Sequence, residues 1–149
     1  MMEAKDPAFE SRVRASFAKQ RAMATIGATI ARVAPGEVDL ELPFREDLTQ
    51  QHGFLHAGVV AMLADSACGY AALSLMAPGA GVLSIEYKLN LLAPAIGTRM
   101  IARATVLRAG RTVTVCRGDV FAVTEGREKL VAAMQATMMS VLDRSGVSD

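Results

Sequence analysis

Charge nearly vanishes between His56 and Ala77, a stretch rich in Ala, Gly, Val, Leu and Met in which Asp65 is the one charged side chain. On either side of it the apolar positions follow other periods. From Pro7 to Ala24, Phe9, Val13, Phe17 and Ala24 fall at helical spacing, with Arg12, Arg14, Lys19 and Arg21 around them. That predicts an amphipathic helix, and Pro7 suits its first turn. From Thr25 to Pro43 the period drops to two. Ile26, Ala28, Ile30 and Arg32 alternate with Gly27, Thr29 and Ala31, and after a Pro35-Gly36 turn Val38, Leu40 and Leu42 alternate with Glu37, Asp39 and Glu41. This is a hairpin pattern.

A polar loop from Phe44 to Leu55 leads into the apolar stretch, which predicts a helix from Ala57 or Gly58 to Leu75, ended by Pro78-Gly79-Ala80-Gly81. Four strands are expected after it. Ile85, Tyr87, Leu89 and Leu91 mark the first, Met100 to Arg108 the second, Thr112 to Val123 the third and Lys129 to Leu142 the fourth. Segregated helices and strands argue for an α+β fold with a mainly antiparallel sheet. A helix apolar nearly all round needs cover on most sides, and a curved sheet of about six strands wrapped around it supplies that. The expected organisation is a helical segment over residues 1–24, one domain over 25–142, and a frayed tail over 143–149.

On length alone, residues 56–77 could cross a bilayer, but Asp65 at their middle costs roughly 2.5–3.5 kcal/mol on insertion scales. A buried helix in a globular domain is the favoured reading. The 149 residues fit one domain, and a net charge of +1 gives no reason to expect nucleic acid or a membrane surface as partner. Cys68 and Cys116 are far apart and form no CxxC, so two inert thiols in a reducing compartment are expected. The N-terminus lacks the basic and apolar regions of a secretory signal, which adds to an expectation of a cytoplasmic protein. There is no metal-ligand cluster, Walker loop or GxGxxG, so neither metal nor cofactor is expected.

A lone carboxylate in an apolar helix costs several kcal/mol unless something holds it. Gly58, Met62 and Gly69 share the Asp65 face, so small residues leave space beside it. Either a neighbouring element donates hydrogen bonds to Asp65, or the carboxylate serves as a general base or nucleophile. The start of the same helix holds a second constellation, Gln50-Gln51-His52-Gly53-Phe54-Leu55-His56-Ala57-Gly58. The first N–H groups of a helix lack partners and sit at its positive end. Ala57 and Gly58 present such donors with little obstruction, as an oxyanion hole requires. Equally, the glycines could serve turn geometry and His56 could cap the helix.

The run His56-Ala57-Gly58 followed by Asp65 resembles the signature of hot-dog-fold thioesterases of the phenylacetic-acid-degradation type. The element order, the Ser84-Ile85-Glu86-Tyr87 strand leading to Ala93-Pro94, and the Ala109-Gly110-Arg111-Thr112 turn fit as well. The resemblance covers about residues 25–142. It departs from the usual pattern in two places: Gln50 stands where many members have Asn, with Gln51 as neighbouring alternative, and Ala57 replaces the first Gly after the His. The resemblance implies hydrolysis of an acyl-CoA thioester. The Ala57 N–H receives the oxyanion, Asp65 acts as base or nucleophile, Gln50 positions water or thioester, and His56 orients the loop. It also implies that Ser84 approaches the site, and that Arg108, Gly110, Arg111 and Thr112 hold the nucleotide part of CoA.

Ala57 and Asp65 are eight residues apart, about 12 Å of helix rise, too far to meet at one thioester carbon. A two-fold dimer, or a dimer of dimers, answers this by pairing Ala57 and Gln50 of one chain with Asp65 of the other. Competing readings are a hot-dog acyl-CoA hydratase or dehydratase, which pairs a His with an acid, and a non-catalytic acyl-CoA binding module, which has no use for a buried Asp65.

Overall fold

The computed structural model describes residues 2–149. The apolar stretch forms helix α3, Ala57–Leu73, and six strands wrap it: β1 Thr29–Ala34, β2 Glu37–Pro43, β3 Gly81–Leu91, β4 Arg99–Ala109, β5 Val113–Thr124 and β6 Arg127–Val141. They make one antiparallel sheet in the order β1-β2-β4-β5-β6-β3, so β3 is an edge strand although β6, its neighbour, is last in the chain. Alternation sets which face is inward. Val38, Leu40 and Leu42 of β2, Met100 and Ala102 of β4, and Met134, Ala136 and Met138 of β6 are buried against α3. Small residues let the helix sit close to the sheet. A Cβ on Gly118 of β5 would fall 2.7 Å from the Cys68 sulfur. No helix among the described residues is long and apolar enough to cross a membrane.

The N-terminal helix comes as two pieces, α1 Phe9–Lys19 and α2 Arg21–Ile26, where the spacing predicts one. The break falls at Gln20, whose ψ of 93° is extended. No Pro or Gly causes it. The Gln20 side chain instead accepts a hydrogen bond from Ser66 of α3 at 3.1 Å, an anchor absent from the local sequence pattern. Because α2 runs to Ile26 and closes on Gly27 at φ 84°, the strand expected from Thr25 begins at Thr29. Arg12 of α1 reaches the C-terminal end of α3, donating to the Leu73 and Met76 carbonyls, each at 3.4 Å, where the helix dipole favours a cation.

The tail, expected to fray, is placed against the domain. An Arg144–Val147 bridge turns it back, Val147 packs on Gly81, and Asp149 accepts a hydrogen bond from Ser16 at 2.6 Å.

Candidate active site

The approach to α3 is fixed by its backbone. His56 N–H donates to Leu48 C=O, Leu55 N–H to Ala95 C=O, and Gln50 N–H to Phe54 C=O around a turn where Gly53 takes φ 84°. His56 is the N-cap, and its Nδ1 accepts from Gly58 N–H at 2.8 Å. That bond occupies one of the two donors expected here. Gly58 is therefore not free to bind an oxyanion while the cap is made, whereas the Ala57 N–H meets no acceptor among the described residues. The same bond assigns His56 the proton on Nε2 when the ring is neutral. The Gln50 carboxamide oxygen accepts from His52 N–H, which leaves its NH2 group as the available end. Gln50, Gln51, His56 and Ala57 border a cleft of about 470 Å³ whose apolar walls include Phe54, Leu92 and Val131.

Asp65 lies further along α3 and does not reach this cleft. It is half-buried and accepts a hydrogen bond from Ser84 Oγ at 2.7 Å, which leaves its second oxygen free. Ser84 is aimed by a bulge. Its pairing partner is Met138, that of Glu86 is Thr137, and Ile85 is left over. Asp65 and Ser84 border a second cavity of about 220 Å³. The space read from the small residues is present, since a Cβ on Gly69 would touch nothing within 4 Å. Ser16, Gln20, Ser66, Tyr70 and Asp149 also line this cavity, and nothing in their sequence neighbourhoods marks them. Burial holds the Tyr70 phenol above its usual range, with the Ser16 hydrogen bond acting against that shift.

The remaining candidates form the β4–β5 turn, elsewhere on the molecule. Gly110 is required there: its N–H donates to Val113 C=O at 2.9 Å, and a Cβ would lie 2.5 Å from that oxygen. Thr112 C=O accepts from Ser140 N–H at 2.7 Å. Arg108 and Arg111 are exposed and form no ion pair among the described residues. Arg103, by contrast, is committed to Glu128 at 2.6 Å and stacks on Phe121. One chain thus brings Gln50, His56 and Ala57 together, and separately Asp65 and Ser84, but does not join the two groups.

The β3 edge links them. Ser84 near its start borders the Asp65 cavity, and Leu91 at its end borders the Ala57 cleft. Between and around them Leu83, Ile85, Tyr87, Leu91 and Leu92 are 41–55% exposed, a large apolar share for an unpaired edge.

A long helix enclosed by six antiparallel strands is the hot-dog arrangement. Residues 52–129 match the family model described as Thioesterase superfamily. The chain belongs to that superfamily, and it is a thioester hydrolase. Acyl-coenzyme A thioesterase 13 of Mus musculus is 31% identical over 105 residues, 70% of this chain and 73% of that protein. A Halobacterium salinarum protein assigned provisionally as an esterase is 36% identical over 95 residues, and the match spans 62% of its length. Among solved structures, a thioesterase family protein from Silicibacter pomeroyi superposes with TM-score 0.89 at 50% identity, over 90% of this chain and 98% of that one. The PaaI protein of E. coli shares the fold, with TM-score 0.82 at 18% identity over 97% and 99% of the two chains.

Proposed function

We propose that the protein hydrolyses acyl-CoA thioesters to free acid and CoA at a site completed by two copies of the chain. The observation that carries this is the separation of the Asp65–Ser84 pair from the Ala57 N–H, at opposite ends of one exposed edge strand. Continuing the sheet antiparallel across β3 about a two-fold axis sets the start of one β3 against the end of the other. It carries the Asp65 cavity of each chain toward the Ala57 cleft of its partner and covers Ile85, Tyr87 and Leu91. A homodimer, or a dimer of dimers, follows.

In this site the thioester oxygen accepts from the Ala57 N–H at the positive end of α3, where developing negative charge is favoured. The Gln50 NH2 steadies the thioester or the attacking water. Asp65 of the partner chain, oriented by Ser84, takes a proton from that water or attacks the carbonyl carbon itself. The C–S bond then breaks. On the base route the proton held by Asp65 passes to the departing sulfur and CoA leaves as its thiol. On the nucleophile route CoA leaves as thiolate. Water then cleaves the mixed anhydride to the free acid, restoring the Asp65 carboxylate and releasing the proton that the thiolate takes up. His56 acts by holding the loop. The CoA phosphates are assigned to Arg108 and Arg111, with Gly110 and Thr112 shaping their turn. The name of mouse acyl-coenzyme A thioesterase 13 favours CoA as the carrier, and two unpaired, buried thiols favour a reducing cytoplasm.

The test is release of free thiol from acyl-CoAs of short, long and aromatic acyl groups, with wild type beside Asp65→Asn. Loss of about a hundredfold or more in kcat is expected for the variant. Full activity in Asp65→Asn on the best substrate sinks the assignment.

A further inference from the structure

The hydrogen bond from Ser84 to Asp65 depends on one break in the register of β3. Tyr87, Leu89 and Leu91 are the register partners of Ala136, Met134 and Ala132, which are buried in the core. By alternation Glu86, paired with Thr137, points to the outer face of the sheet. Two residues back on a regular strand, Ser84 would point outward as well. It turns inward to Asp65 because Ile85 is an extra residue, set against the consecutive partners Thr137 and Met138 of β6. A slip of one residue here would carry Ser84 to the other face, and the carboxylate would lose its donor.

Few side chains hold that register. Within the chain β3 pairs with β6 alone, as an edge of the sheet. Among the described residues, two side-chain contacts with hydrogen-bond geometry cross between them. In one, Ser84 Oγ lies 3.3 Å from Met138 Sδ, while its proton goes to the stronger acceptor, the Asp65 carboxylate at 2.7 Å. In the other, Thr137 Oγ1 donates to Glu86 Oε1 at 2.5 Å. This bond is charge-assisted, and it joins the first register pair after the bulge. The buried Met138 thus touches the hydroxyl on the inner face, and Thr137 grips the next pair on the outer face.

We infer that Thr137 is a positioning residue of the Asp65 site: by holding Glu86 on the outer face it pins the bulge that turns Ser84 to the carboxylate. It makes no contact with Asp65 and acts through Ser84. The inference rests on the thioesterase site proposed above.

The test measures kcat and KM on whichever of the short, long and aromatic acyl-CoAs wild type hydrolyses fastest. Thr137→Val keeps the β-branched shape and removes the donor. It should lower kcat by about three- to tenfold, the scale of one hydrogen bond, with KM within about twofold of wild type. Thr137→Ser keeps the donor and should hold kcat within about twofold of wild type. Ser84→Ala alone should lower kcat by about tenfold or more, and adding Thr137→Val to it should change kcat by less than about twofold. A Thr137 that merely stabilised the sheet would cost as much without Ser84 as with it. Wild-type kcat in Thr137→Val or in Ser84→Ala, equal losses in Thr137→Ser and Thr137→Val, or a loss on adding Thr137→Val that is undiminished in the Ser84→Ala background overturns the inference. Asp65→Asn run in parallel separates the two levels. If it is inactive while Thr137→Val is unimpaired, the positioning inference falls alone; if it keeps full activity, the underlying site falls with it.

Discussion

A methyl group added at Gly118 would lie 2.7 Å from the Cys68 sulfur and 3.4 Å from the Ala64 carbonyl oxygen. The residue therefore sets how closely α3 approaches β5. Gly118→Ala should destabilise the fold by about 1–3 kcal/mol through overpacking, measured as a lower urea midpoint at unchanged slope. Adding Cys68→Ala should return part of that loss, because it removes the atom in the way. Additive costs in the double variant would contradict the contact. Asp65 was legible in the sequence because one charge stands out in an apolar helix. Ser16, Gln20 and Tyr70 were not, since each is an ordinary residue of an amphipathic or apolar helix. Only the packing of α1 and α2 on α3 brings Ser16 and Gln20 to the cavity that Asp65 and Tyr70 border.

At the scale of elements, alternation located all six strands and the apolar stretch located α3. What it missed are features made by tertiary contact: the break at Gln20, the bulge at Ile85 that aims Ser84, and the tail folded back onto Gly81. The start of α3 yields a prediction of its own. His56 caps the helix through Nδ1, and Asn can make an equivalent cap through its side-chain oxygen. His56→Ala should cost about 1 kcal/mol in thermal unfolding, and His56→Asn distinctly less. Equal losses would mean that the ring contributes by something other than the cap. Because the cap occupies the Gly58 N–H, removing it frees a second donor beside Ala57. kcat in His56→Ala therefore reports whether the single donor is the better arrangement.

The whole molecule is best interrogated through two variants, each of which the proposed site expects to be inactive. Ala57 is the first residue of α3, a position where Pro is tolerated, and His56 already has the extended ψ of 138° that precedes a Pro. Ala57→Pro should thus delete the N–H proposed as oxyanion donor and leave the helix standing. Asp65→Asn deletes the carboxylate. If each site takes one group from each chain, a mixed dimer of the two variants contains one intact site and one doubly deficient site. After subunit exchange at equal concentrations, about half of the dimers are mixed and about a quarter of the wild-type activity should return. Activity that stays at the level of the separate variants, after exchange is verified by mass, would place both groups in one chain.

The buried thiols have a practical consequence. Cys68 and Cys116 are fully buried within the α3–sheet interface, and burial pushes the Cys116 thiol up to about 12 and the Cys68 thiol higher still. A disulfide reagent attacks through the thiolate, so the folded protein should be silent toward it. Thiol released from a thioester in a turnover assay can be counted with such a reagent against no background from the enzyme itself. The same silence makes the reagent a counter of opened molecules. Each chain that unfolds should titrate as two thiols, at a rate that measures how often the helix leaves the sheet.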